Sequence, residues 1–207
     1  MSDGRFLRNG ALGDQRAAIS QAAGPHEGLP ELLEVFRLSL ASAEAAHDRF
    51  PGYRLTRLVG ARLELDEVDI GRLAGVLGVD LLQPVSGVLR PFDFHLRDVI
   101  ARYDLDAVFR DEGHAPYHHA IRPTGYDFYR DEVIPIGMEQ WRADYRHMSD
   151  ERQMIAASIV WLCRAGKDNV WLRRVPCTWH AADAIACLNA AGALGDWARL
   201  YALYPGW

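Results

Sequence analysis

The residues best equipped for chemistry lie in Asp111-Glu-Gly-His-Ala-Pro-Tyr-His-His119. Imidazoles beside carboxylates are the donor types that zinc or iron takes, and His114 and His118 have the i, i+4 spacing of one helix face. Pro116 falls between them and opposes a regular helix there, and no His-Glu-x-x-His pattern occurs. The segment therefore has two readings. His114, His118 and His119 are either the ligands of a stand-alone metal-dependent enzyme or polar loop residues that meet solvent or a partner. Asp127, Asp131 and Glu132 could add carboxylates, yet in a tyrosine-rich segment they also fit an ordinary charged face. Cys177 is a nucleophile candidate because it precedes a helical pattern, where the helix dipole favours a thiolate, and His180 follows closely. The chain has no Gly-x-Ser-x-Gly and no Gly-rich phosphate loop ending in Lys-Ser/Thr.

These residues need elements to position them. A chain of 207 residues can bury a core, and its net charge of −5 gives no global attraction for nucleic acid or an anionic membrane. Three cysteines at no metal-finger spacing and the lack of 18 uninterrupted apolar residues point to a cytoplasmic protein. Residues 1–28 read as a loosely ordered arm with a short helix near 13–23. Residues 29–148 read as a helical body, opened by one helix from Leu29 to Phe50 with Pro30 and Glu31 in its first turn. A further helix follows Asp66 and stops at Gly78, and another begins at Pro91. Asp69-Ile-Gly-Arg-Leu-Ala-Gly-Val-Leu-Gly-Val-Asp80 resembles the first helix and turn of a helix-turn-helix DNA reader. Pro84 interrupts the recognition helix that should follow, which leaves a DNA-binding regulator as the weaker alternative. Helices are also expected at 138–147, at 179–190 behind a Thr178 cap, and from Gly195 onward.

Residues 149–207 are expected to hold a small antiparallel sheet with the C-terminal helices. The strands rest on Ile159-Val-Trp-Leu-Cys-Arg-Ala-Gly-Lys-Asp-Asn-Val-Trp-Leu-Arg-Arg-Val175, where two Val-Trp-Leu-Arg arms flank Ala165–Asn169. β-Branched and aromatic residues favour a pleated surface, and Gly166 and Asn169 tolerate the positive φ of a tight reversal. Both faces of such a hairpin are apolar. It is either a core hairpin under helices or one with an edge left open for another chain. The fold class is α+β, mostly helical.

The same run, continued by Pro176 and Cys177-Thr-Trp-His-Ala-Ala-Asp-Ala-Ile185, resembles the MbnC family of partner proteins in methanobactin biosynthesis. More loosely, it resembles a wider family encoded beside TIM-barrel multinuclear iron enzymes. The resemblance covers about residues 158–200. It implies a non-catalytic subunit that forms a heterodimer with an MbnB-like TIM-barrel iron enzyme. With dioxygen, that pair converts cysteines of an MbnA-like precursor peptide into oxazolone and thioamide groups. It further implies that the chain has no cofactor of its own, the iron belonging to the partner subunit, and that the precursor leader adds a strand beside this chain's sheet. Carried onto the hairpin, the leader-docking residues are Val160, Trp161, Leu162, Arg164, Val170, Trp171, Leu172, Arg173 and Arg174.

Overall fold

The computed structural model describes residues 28–79, 91–113 and 115–207. The expected arm, the residues after Val79 that a DNA reader would need, and His114 lie outside the described residues. The helices are α1 (Leu29–Ala41), α2 (Ala43–Arg49), α3 (Leu55–Arg62), α4 (Glu67–Leu77) and α5 (Pro91–Arg102) in the first half. Strands β1 (Phe109–Asp111), β2 (Ile121–Pro123), β3 (Tyr126–Asp127) and β4 (Glu132–Val133) come next. They are followed by α6 (Pro135–His147), α7 (Asp150–Cys163), α8 (Ala181–Ala190) and α9 (Leu194–Leu203). The mostly helical α+β class is as expected. No helix among the described residues is long and apolar enough to cross a membrane.

The centre is α7, in which every residue from Gln153 to Leu162 is buried. A helix apolar all round has no solvent face and must be wrapped, and here α3, α6 and α8 pack on it. One contiguous set of buried apolar side chains runs from Leu32 through Ile155 and Trp161 to Tyr204, so the core crosses the expected division at 148/149.

The hairpin expected at 159–175 is absent. Its first arm, Val160, Trp161 and Leu162, is the last turn of α7 and is buried. The residues read as a hairpin turn instead end that helix. Gly166 takes φ +79° and its N–H returns to Trp161 O at 2.6 Å, the way a left-handed glycine closes a helix C-terminus. The second arm has no strand partner among the described residues. The Asp168 carboxylate replaces a ladder by accepting the N–H groups of Val170 (3.2 Å), Trp171 (3.4 Å) and Leu172 (2.8 Å). The antiparallel pairing lies earlier in the chain, with Arg110 opposite Arg122 and Tyr126 opposite Val133.

Other expectations stand closer to the structure. Asp66 caps α4 by accepting Asp69 N–H at 2.9 Å, and Gly78 ends it at φ +65°. The long first helix is broken at Ser42, whose hydroxyl accepts Ala45 N–H and starts α2. At α8 the cap is His180 rather than Thr178, because its ring nitrogen accepts Ala182 N–H at 3.2 Å. The C-terminal carbonyls of α9 are met from α3. The buried Arg62 guanidinium donates to Tyr201 O at 2.8 Å, Ala202 O at 3.0 Å and Tyr204 O.

Candidate functional site

The β3–β4 ribbon lies beside the 164–176 loop and is built from turn chemistry. Asp127 accepts the N–H groups of Tyr129 (3.0 Å) and Arg130 (3.1 Å), which folds the chain back. Asp131 then takes φ +55°, and the Tyr126 hydroxyl donates to its carboxylate at 2.6 Å. That bond holds the Tyr126 proton above the ordinary tyrosine range. Behind the ribbon, Gly125 at φ +85° lies directly on the first turn of α6. A Cβ there would come within 2.9 Å of the Met138 backbone. Ile134 N–H donates to Gly125 O at 3.0 Å, and Pro135 opens α6 with the fixed φ that a first helical residue needs.

From Tyr129 to Ile136 every residue is exposed. Four of these eight are large and apolar: Tyr129 (76% exposed), Val133 (45%), Ile134 (42%) and Ile136 (83%). The pairing of Ile134 N–H with Gly125 O makes Tyr126–Val133 a non-hydrogen-bonded pair. The N–H and C=O of Val133 therefore point away from β3. Among the described residues no strand pairs with that side of β4. The ribbon thus presents both main-chain groups and apolar side chains to the outside.

The loop that carries six of the nine predicted docking residues packs against this ribbon. Trp171 is fully buried, its ring 5.4 Å from Tyr126 and stacked 6.0 Å from Phe128, with its Nε1 donating to Thr124 O at 2.8 Å. The guanidinium of Arg164 lies 5.9 Å over Trp171, and that of Arg122 lies 4.8 Å over Phe128. Val170 is half-buried, Leu172 is buried, and Arg173 and Arg174 are exposed. Of the nine predicted docking residues, the structure brings Trp171 and Arg164 to the ribbon. It leaves Val160, Trp161 and Leu162 in the core, where no ligand reaches them.

Of the three predicted histidine ligands, His118 and His119 lie side by side, and His114 is outside the described residues. His118 is buried, edge-on to Phe92 and Trp207, and its Nε2 pairs with Gly206 O at 2.8 Å, so the ring fastens the C-terminal segment to α5. His119 is half-buried and stacks on it at 4.3 Å. A different trio, His47, His180 and Asp183, has donor atoms within 4.8 Å of one another. As placed, it does not fit an ion well. His180 uses Nε2 on Phe50 O (2.8 Å) and Nδ1 on Ala182 N–H, and His47 Nε2 is paired with Asp183 at 2.6 Å. The two rings stack at 3.7 Å, which sets their in-plane lone pairs side by side instead of converging.

The Cys177–His180 nucleophile is not formed either. Burial raises the Cys177 thiol above its usual value, contrary to the lowering expected at a helix start, and its Sγ lies 3.8 Å from Leu172 O. Burial likewise pushes Cys163 up to about 11.

No protein-family model, curated protein or solved structure matches this chain.

Sequence reasoning missed the ribbon because Asp127, Asp131 and Glu132 were counted as a charged face. The signal was present in the order Pro123-Thr-Gly125, alternating Tyr126 and Phe128, an Asp-Glu reversal, then β-branched Val133-Ile134 before Pro135.

Proposed function

We propose that the chain is a cytoplasmic, non-catalytic partner subunit of an iron-dependent, peptide-modifying oxidase, and that its β3–β4 ribbon is where the precursor leader docks. The observation that carries this reading is the exposed run from Tyr129 to Ile136, with the main chain of Val133 turned outward beside four large apolar side chains. An extended peptide that adds to such an edge gains affinity from main-chain hydrogen bonds and selectivity from alternate side chains. Further support comes from the resemblance of residues 158–200 to the MbnC family, since Trp171 of that segment is packed behind the ribbon and helps hold it in place.

In this reading the chain's own residues bind and orient. A leader fixed on β4 raises the local concentration of the core cysteines at the partner's iron, so a subunit without redox groups still governs the rate. The iron supplies dioxygen chemistry in the partner, which yields the oxazolone and thioamide.

The test is co-expression with neighbouring iron-oxidase candidates, co-purification, and mass measurement of a supplied precursor. Val133→Pro removes an outward N–H without touching the ladder to β3, so it should abolish modification while the protein stays folded and still co-purifies with the oxidase. Unchanged modification by this variant would sink ribbon docking. Failure of every oxidase candidate to co-purify would sink the partner reading.

A further inference from the structure

On the neighbouring face, four arginines gather without carboxylates. Arg142 and Arg146 are one turn apart on α6, and both reach across to the 170–174 loop. Arg142 donates to Val170 O and to Trp171 O (3.2 Å), and Arg146 donates to Arg174 O (2.9 Å). These bonds draw Arg173 and Arg174, both exposed, onto the same surface. Burial first, then Arg146, Arg174 and Arg173, hold the Arg142 guanidinium below the usual arginine range, with Asp168 the single opposing charge. The Asp168 oxygens are already turned inward to three backbone N–H groups.

Several other surface arginines are neutralised, while exposed Arg54, Arg57 and Arg164 stand singly on a carbonyl or an aromatic ring. Arg37 and Arg49 pair with Glu34, Arg97 with Asp93, Arg102 with Asp98 and Asp196, and Arg110 with Glu112. None of Arg142, Arg146, Arg173 and Arg174 forms an ion pair with a carboxylate among the described residues. Of the acids on the same helix, Asp144 accepts from Gln140 instead, and Glu139 pairs with none of the four. Arg174 also holds a left-handed backbone, φ +67°, at a non-glycine residue. Like-charge crowding and a left-handed non-glycine backbone both work against the fold here.

We propose that these four arginines form a docking site for the carboxylates of an acidic polypeptide segment. Guanidinium forks match carboxylates bidentately. A short acidic polypeptide segment is favoured over nucleic acid because the chain as a whole, at net charge −5, repels a long polyanion, while the patch itself is small. The site also lies two turns along α6 from the ribbon, about 12 Å from Ile134 to Arg142, a span that about four extended residues cover. The proposal needs only this chain and does not rest on the partner-subunit reading.

The experiment titrates the full chain into a fluorescein-labelled hexaglutamate peptide by anisotropy at low and high salt, with inorganic phosphate and a short DNA duplex as competitors. Binding at low salt that weakens about tenfold in Arg173→Ala/Arg174→Ala, and is unaffected by Arg37→Ala, is the expected result. Arg173→Glu, whose side chain makes no hydrogen bond to a described residue, gives the same loss in a protein whose circular dichroism matches the parent. No binding, equal loss with Arg37→Ala, or displacement of the peptide by the duplex at lower concentration than by unlabelled hexaglutamate would each overturn the proposal.

Discussion

In the first Val-Trp-Leu triplet, residues 160–162, each side chain is sealed in the last turn of α7, and the carbonyls are met by the N–H groups of Arg164, Ala165 and Gly166 just beyond it and, at Leu162, by the Tyr204 hydroxyl. In the second, residues 170–172, the same three side chains sit on an irregular loop whose N–H groups are gathered by one carboxylate, Asp168, and whose carbonyls are held by Arg142. Identical residues thus serve as an all-round apolar helix surface in one place and as a plug behind a surface ribbon in the other. What separates them is the chain on either side. Ala156-Ala157-Ser158 before the first triplet favours continuation of a helix, whereas Gly166-Lys-Asp168 before the second supplies a helix stop and an Asx-type cap.

Several substitutions break or sharpen that contrast, the most severe first. Trp161→Ala should lower the unfolding free energy by about 3–5 kcal/mol, seen as a shifted urea midpoint with loss of hydrogen-exchange protection throughout α7. Trp171→Ala should cost about 3 kcal/mol, with the protection loss confined to the 124–133 and 164–175 segments. A uniform loss would mean that the two copies are not mechanically distinct. Asp168→Ala removes three acceptor contacts and should cost about 1–3 kcal/mol, sparing α7 by the same readout. On the helical side, burial holds the His95 imidazole below its ordinary value of 6.5 while its Nε2 meets Asp196 O at 2.9 Å. The unfolded chain therefore takes up that proton first. The stability due to His95 is present at neutral pH and lost as pH falls through 6.5. A urea midpoint compared at neutral pH and at about pH 5 should show a smaller drop in His95→Gln than in the parent. Arg173→Ala, outside both packed regions, should change stability by under about 0.5 kcal/mol.

How much the sequence discloses follows from the same contrast. Helix ends with their own chemistry, such as Asp66, Gly78 and Pro91, were legible because a cap or stop is a local event between a side chain and its nearest backbone groups. The run from Ile159 to Cys163 was not, since a continuous apolar stretch is buried equally well as a strand or as a helix, and its β-branched and aromatic content tilted the reading towards a strand. The ribbon was hidden for the opposite reason. Its strands are two residues long, too short for alternation to register, and it is held by a contact between Gly125 and α6 that only the folded chain brings about. His118 illustrates a third limit: a ring that joins a carbonyl far along the chain looks, in one dimension, like a ligand.

The backbone-to-backbone contact of Gly125 with Gly137 and Met138 has a mechanical consequence. With no side chain between them, ribbon and helix meet backbone to backbone, and Arg142 and Arg146 stand on that same helix. A guest that gripped both ends would have its own spacing set against the length of helix between them. Adding or deleting a residue or two between its apolar and acidic portions would forfeit one grip, so such a partner is selected by length as well as by charge.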